Sequence, residues 1–159
     1  MPIFTPDKAS DFKPSGRILG IDIGKKTIGL AVSDSMHRMS LPLKTIKRTK
    51  YTEDIHKLFH IIQEYDIQSY ILGWPLNMDG SRSGGCDRTE SFTDEMCKYP
   101  DIFGDNPQIL LWDERLSTEA VKEMVDKPVN KMKESGELDS LAAHIILQSA
   151  LEMLFYRKN

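Results

Sequence analysis

Acidic residues at the ends of predicted strands and helices are the groups in this chain best suited to chemistry. Asp22 lies in ILGIDIG, Asp113 and Glu114 are adjacent in ILLWDERLST, and Asp139 precedes the apolar run SLAAHIILQSAL. Carboxylate oxygens are hard ligands for Mg²⁺ or Mn²⁺, and two such ions can activate water and stabilise a leaving alkoxide at phosphorus. The pattern predicts a carboxylate cluster for phosphodiester chemistry.

Asp22 is the best supported of these positions because apolar residues flank it on both sides. A charged side chain within a central strand is costly unless it is paired or binds a metal. The alternative is an exposed aspartate that caps the turn at Gly24. We predict that Asp22 is a catalytic metal ligand.

The other acidic positions are less determined by the sequence. Successive strand residues point to opposite faces, so only one of Asp113 and Glu114 is expected to reach the site, while the other anchors the loop, for example through Arg115. The sequence leaves this choice open; Glu114 is taken as the metal ligand, and Asp113 stays a catalytic candidate. Asp139 is predicted to be a further catalytic metal ligand, although it also suits a helix N-cap, a role worth about 1 kcal/mol.

Length and composition place these residues in one globular domain. The chain has 159 residues, of which 40% are hydrophobic and 28% charged. No apolar run approaches the roughly 18 to 20 residues that span a bilayer, so a membrane protein is excluded. Residues 1–16 lack the pattern of a secretory signal and are expected to form a flexible tail before a single domain at 17–156.

The cysteines and histidines do not indicate a metal or disulfide site. Cys86 and Cys97 lack a CxxC spacing, which favours reduced thiols and a cytoplasmic location. His56 and His60 are one helical turn apart, but no third ligand has the usual spacing, so they are interpreted as ordinary helix residues.

The basic residues are unevenly distributed, although the formal net charge is −3. A solvated surface is the default interpretation of each cluster, and contact with nucleic acid phosphates is the alternative. We predict that Lys25 and Lys26, which follow Asp22, bind substrate. The other clusters are Lys44, Lys47, Arg48 and Lys50, and Lys131 and Lys133.

A glycine- and serine-rich stretch, residues 77–85, is predicted to be a flexible flap. Arg82 and Arg88 are expected to contact substrate phosphates when it closes, and Arg115 is assigned to substrate binding as well. Trp74 precedes the flap, where it could stack on a base or plug the end of a strand.

The order of predicted elements indicates an α/β protein of the ribonuclease H type, with a mixed five-stranded sheet flanked by helices. Pro42 favours an edge position for the third strand. Strands are predicted at 17–23, 28–33, 41–46, 69–75 and 108–112. Helices are predicted from Thr52, at 86–98, at 117–125 and at 139–155, with a polar connector at 127–137.

The hairpin sequence DIGKKTIG permits another interpretation. An aspartate before a glycine-containing hairpin is also found in ATPases of the actin and hexokinase type, where it positions magnesium. Such ATPases need two domains and usually more than twice this length, which argues against that function here.

Four motifs in order resemble the YqgF family, also called RuvX or the Holliday junction resolvase family. They are IDIGKKTIGLAVSD (21–34), ILGWPLNMDGS (71–81), LLWDERLST (110–118) and LDSLAAHIILQSAL (138–151). The resemblance covers nearly the whole chain from Arg17 to about Leu154. Two positions depart from it: Thr27 stands where members often have Arg, and Trp74 replaces the Leu of GLP.

The resemblance implies a ribonuclease H-like fold and a divalent-metal nuclease in the cytoplasm. The expected function is maturation of the 5′ end of pre-16S rRNA, with association with the small ribosomal subunit precursor. Carried over by position, Asp22 matches the first-strand acid, Asp113 and Glu114 match the DER motif, and Asp139 matches the acid at the last helix. Resolution of branched DNA and a non-catalytic RNA-binding assembly factor are the alternatives.

Overall fold

The computed structural model describes residues 3–117 and 138–156 and has a mixed β-sheet at its centre. Its described strands are β1 (Ile3–Phe4), β2 (Arg17–Ile23), β3 (Thr27–Ser33), β4 (Ser40–Pro42), β5 (Ile46–Lys47), β6 (Ile67–Trp74) and β7 (Gln108–Asp113). The strand order is β1-β7-β6-β2-β3-β4, with β5 also beside β3. Strands β1, β7, β6 and β2 run parallel, whereas β3 is antiparallel to β2, β4 and β5.

Helices cover both faces of this sheet. In the described ranges they are α1 (Tyr51–Tyr65), α2 (Gly84–Met96), the short α3 (Pro100–Phe103) and α4 (Leu138–Leu151), which continues into a π-helical turn at Glu152–Tyr156. Short 3₁₀ turns lie at Pro6–Asp11 and Glu114–Leu116. None of the described helices is long and apolar enough to cross a membrane.

The predicted mixed sheet flanked by helices is confirmed, but the described residues form seven strands rather than five. The predicted third strand at 41–46 is divided into β4 and β5, which pair with opposite ends of β3. Pro42 lies in the edge strand β4, as expected for a residue that cannot donate a ladder hydrogen bond.

The N-terminal segment supplies the other extra strand, which corrects the prediction of a flexible tail at 1–16. β1 pairs with the edge of β7, with Ile3 opposite Ile109. Phe12 is buried and its ring packs edge-on against Phe4 at 6.1 Å between centroids. Burial of Phe12 against the partly buried Phe4 stabilises the segment.

The two faces of β2 contact different helices. Its residues Leu19, Ile21 and Ile23 belong to the core beneath α1 and α2, so the alternate residues face α4. At Gly20 a Cβ would lie 2.8 Å from the Cβ of Leu147, so this glycine allows α4 to approach the sheet closely. Asp22 therefore lies on the α4 face.

Helix boundaries differ from the predictions where tertiary contacts intervene. α1 begins at Tyr51 with Lys50 as its N-cap residue, one residue before the predicted start at Thr52. The backbone N–H and hydroxyl of Thr49 donate to the carboxylate of Asp54. α2 begins at Gly84. The predicted helix beyond Ser117 and the connector at 127–137 lie outside the described residues.

Candidate active site

The carboxyl ends of β2, β6 and β7 meet at one edge of the sheet because these strands are parallel. Ile21 pairs with Leu72, so the next residue, Asp22, lies level with Gly73. Gly73 in turn pairs with Trp112 on β7. The chain leaves β7 immediately afterwards, which brings Glu114 to the same edge.

The Asp22–Glu114 pocket is a depression of about 240 Å³ that both carboxylates line. One wall comes from the 3₁₀ turn after β7 and the other from α4. The remaining lining residues are Ser117, Ala142, Ile145 and Ile146.

Side-chain alternation explains why Glu114, and not Asp113, lies in this pocket. Trp112 packs in the core beneath α4, and Asp113 pairs with Trp74, whose side chain belongs to the opposite core. Glu114 returns to the face of Trp112. The register of β7 against β6 therefore places Asp113 and Glu114 on opposite faces of the sheet.

Asp113 does not line the pocket and instead accepts hydrogen bonds from Arg115. The Arg115 guanidinium donates from Nη2 to Oδ2 at 2.8 Å and from Nε to Oδ1 at 3.1 Å, and the Arg115 backbone N–H donates to Oδ1 at 3.0 Å. These hydrogen bonds lower the pKa of Asp113. Asp113 thus remains ionised and anchors the turn that carries Glu114.

Glu114 has the opposite electrostatic environment. Burial, together with the negative charges of Asp22 and Asp113, raises the pKa of Glu114 to about 7. Two carboxylates in a half-buried pocket repel one another unless a proton or a cation is present. Protonation of Glu114 or a cation bound beside it would relieve this repulsion.

Gly73 makes room for the Glu114 carboxylate and was not predicted as a site residue. A Cβ at this position would collide with Oε1 of Glu114 and would lie 2.7 Å from Cδ1 of Ile146. The available sequence signal was a glycine near the end of an apolar strand that precedes an acid-bearing strand.

Asp139 is the second residue of α4, and the described structure gives its backbone position only. It precedes Ala142 and Ile146 by three and seven residues, a spacing typical of one helix face. Ala142 and Ile146 line the Asp22–Glu114 pocket. Its assignment as a metal ligand stays a prediction. Within the described residues, no group of three or more His, Cys, Asp and Glu side chains is arranged to hold a metal.

The predicted substrate-binding cations occupy two different surroundings. Lys25 and Lys26 are exposed in the β2–β3 turn, directly after the strand that carries Asp22. Arg82 forms ion pairs with Asp87 at 2.8 Å and Glu90 at 3.1 Å.

The indole of Trp74 is only 8% exposed, and the Arg82 guanidinium lies 5.0 Å from its ring centroid. Arg88 is half-buried, and its Nε has no hydrogen-bond partner among the described atoms. Trp74 is thus a buried side chain at the end of β6, and the Arg82 guanidinium covers its ring.

The predicted flap contains a hydrogen-bonded turn. Asn77 accepts a backbone hydrogen bond from Gly80 at 2.8 Å and donates one to the Ser81 carbonyl at 2.9 Å. The Arg115 guanidinium lies 3.5 Å from the Met78 carbonyl, which links this turn to the turn that carries Glu114.

Comparison with known proteins gives a family for this arrangement. The RuvX family, described as Holliday junction resolvase, matches residues 16–153. A protein of Rhodospirillum centenum named "Putative pre-16S rRNA nuclease" is 40% identical over 141 residues, covering 88% of this chain and 75% of that protein. A protein of the same name from Ruegeria pomeroyi is 37% identical and is matched over 92% of each chain.

The fold resembles solved resolvase structures at low sequence identity. The fowlpox virus resolvase in complex with Holliday junction DNA superposes with a TM-score of 0.53 and 13% identity, over 87% of this chain and 99% of that chain. This similarity confirms the ribonuclease H-like α/β fold class. On the evidence of the family match and these close relatives, the chain belongs to the RuvX family, as its four motifs predicted.

Proposed function

We propose that this protein is a divalent-metal-dependent nuclease that matures the 5′ end of pre-16S rRNA. The observation that carries the proposal is the pairing of Asp22 with Glu114 in one pocket, where burial and neighbouring negative charge raise the pKa of Glu114 to about 7. A carboxyl group with a pKa of about 7 is only partly ionised at neutral pH, and a bound cation would favour the ionised form of Glu114.

The donor chemistry fits Mg²⁺ or Mn²⁺. Asp22 and Glu114 present hard carboxylate oxygens, and Asp139 at the start of α4 is the third proposed ligand. When bound, such an ion lowers the pKa of water and offsets the negative charge of a phosphodiester.

The surrounding residues have positioning and binding roles in this proposal. Asp113 and Arg115 hold the turn that presents Glu114, and Gly73 leaves space for its carboxylate. The proposed phosphate contacts are Lys25, Lys26, Arg82, Arg88 and Arg115. Backbone phosphates are the expected ligands of such groups and carry little sequence information.

The substrate assignment follows the names of the relatives. Proteins 36–40% identical to this chain are named for pre-16S rRNA, which favours precursor RNA, a cytoplasmic location and association with the small-subunit precursor. The description of the RuvX family favours a second candidate, resolution of branched DNA. The resolvase structures share only the fold at this identity and do not decide the substrate.

Cleavage assays with purified protein test the proposal. A precursor carrying the 5′ leader of 16S rRNA and a four-way DNA junction are each incubated with Mg²⁺, with Mn²⁺ or with EDTA. We expect metal-dependent cleavage of the RNA and its loss in Asp22→Asn. Full activity of Asp22→Asn would overturn the catalytic assignment.

The other outcomes separate the alternatives. Cleavage of the junction alone would establish the resolvase function in place of RNA processing. Binding of RNA without cleavage under either metal would favour a non-catalytic assembly factor. Lys13→Gln serves as a control because Lys13 is exposed and lies ahead of the amino end of β2, away from the pocket.

A further inference from the structure

A row of lysines leads away from the Asp22–Glu114 pocket along one edge of the sheet. Two of them, Lys25 and Lys26, lie in the turn between β2 and β3. The third, Lys47, is distant in sequence but lies in β5, directly opposite Thr27. We call Lys25, Lys26 and Lys47 the basic edge.

Strand register places Lys47 on the same face of the sheet as Asp22. Asp22 pairs with Gly29, Gly29 and Thr27 share a face, and Thr27 pairs with Lys47. The intervening row, Ile23, Ile28 and Ile46, is buried in the core on the opposite face. Lys47 therefore extends from the face onto which the pocket opens.

The distance between the pocket and Lys47 matches a short length of nucleic acid. Lys47 lies two residues along the strands and two strands across from Asp22, which corresponds to about 12 Å between their Cα atoms. A helical nucleic acid strand rises about 3.4 Å per nucleotide, so this span covers about three to four nucleotides.

Among the residues that the structure describes, no acid neutralises the basic edge. No described carboxylate lies within 4.0 Å of the Nζ atoms of its three lysines, and all three are exposed. In contrast, Arg82 and Arg115 on the other side of the pocket form ion pairs with acids of the protein. In a chain with a formal charge of −3, this edge is a local concentration of positive charge.

Arg48 fixes the conformation of the backbone that carries the basic edge. Its Nη1 donates to the Gly24 carbonyl at 2.8 Å, and its backbone N–H donates to the Lys26 carbonyl at 2.9 Å. Its Nε lies 3.9 Å from the buried carboxylate of Asp54, which balances its charge. Arg48 thus ties the β2–β3 turn to β5 and leaves the lysines to bind a ligand.

We propose that the basic edge binds the phosphodiester backbone of the substrate about three to four nucleotides from the reacting phosphate, with Lys47 as the outermost contact. This inference rests on the proposed nuclease function and specifies the path of the substrate strand. The shared ligand chemistry is a polynucleotide backbone, which either RNA or DNA supplies.

Equilibrium binding without metal tests the proposal separately from cleavage. The probes are a labelled RNA hairpin with a single-stranded 5′ extension and a labelled four-way DNA junction, each titrated with the protein in EDTA over a series of salt concentrations. The variants are Lys47→Gln and the triple variant Lys25→Gln/Lys26→Gln/Lys47→Gln. Lys13→Gln is the matched control, since it also removes one exposed positive charge.

The slope of log Kobs against log salt concentration is negative. We expect each lost phosphate contact to reduce its magnitude by about 0.7–0.9, and hence by about 2 to 3 for the triple variant. Lys13→Gln should leave affinity and slope unchanged. The probe that shows the larger loss identifies RNA or DNA as the ligand.

An unchanged slope in the triple variant, with the unaltered protein binding tightly, would overturn the basic edge and leave the proposed function standing. Binding of neither probe by the unaltered protein would overturn both. Melting temperatures are measured for every variant to establish that each one is folded.

Discussion

Gly73 lies directly against the carboxylate of Glu114, and no other amino acid fits at this position without displacing it. A Cβ on residue 73 would collide with Oε1 of Glu114 and lie 2.7 Å from Cδ1 of Ile146. Gly73 of β6 thus leaves space for the pocket by lacking a side chain, between β2, which carries Asp22, and the 3₁₀ turn after β7, which carries Glu114.

Gly73→Ala should impair cleavage more than it impairs stability. Overpacking costs about 1–3 kcal/mol, but the carboxylate of Glu114 must also move out of the pocket. We expect at least a tenfold loss of cleavage rate. Ile61→Val on α1 is a control that removes a buried methyl group at a cost of about 0.5–1.5 kcal/mol. Equal activity losses in the two variants, measured on fully folded protein, would argue against a role of Gly73 in the site.

Asp22→Asn and Glu114→Gln should each abolish cleavage while leaving the metal-free protein at least as stable as before. Each substitution removes a negative charge from a mutually repelling pair. A metal ligand contributes several kcal/mol to charge stabilisation in the transition state, so the expected loss is about a hundredfold or more.

Asp113→Asn should behave differently from these two substitutions. It weakens the ion pair with Arg115 and should lower thermal stability. Unfolding temperatures and rates for the three variants distinguish these roles, and a stability loss in Asp22→Asn as large as that in Asp113→Asn would contradict the repulsion argument.

Metal-free protein should become less stable as the pH rises from about 5 to 8. Glu114 has an ordinary pKa of 4.5 and a folded-state pKa of about 7, so the folded protein binds the extra proton between these values. The full shift corresponds to about 3 kcal/mol, and partial exposure reduces the expected change to about 2 kcal/mol.

Urea unfolding in EDTA across this pH range measures the effect. Glu114→Gln should remove most of the dependence. Retention of the same slope in that variant would show that another group is responsible.

Removal of Arg48 should destabilise the protein because Asp54 is fully buried. Arg48→Met leaves the Asp54 carboxylate without its cation and should cost about 3 kcal/mol. Asp54→Asn in the same chain should restore part of the loss. A double-mutant cycle by urea unfolding measures the coupling, and purely additive losses would mean that the two side chains do not interact.

The strongest predictions from the sequence concerned features that local pattern determines. Apolar residues on both sides of Asp22 indicated a strand, and the apolar run after Asp139 was predicted to be a helix. Both are observed, in β2 and α4. In contrast, Ile3–Phe4 is too short to show the alternation of apolar and polar residues that predicts a strand. Its pairing partner, β7, lies more than one hundred residues away in the sequence.

The sequence by itself determined that Asp22, Asp113 and Glu114 lie near strand ends and that only one of Asp113 and Glu114 can face a given side of the sheet. It also determined that the four motifs belong to one family. Only the tertiary structure decided which acid shares the pocket with Asp22, because the register of β7 on β6 sets the facing of both. It also brought Lys47 opposite Thr27, since strand pairing joins residues whose separation along the chain carries no signal. The local sequence pattern determines that side chains alternate between the two faces of a strand. The pairing of that strand with distant parts of the chain determines which side chains lie on which face of the sheet.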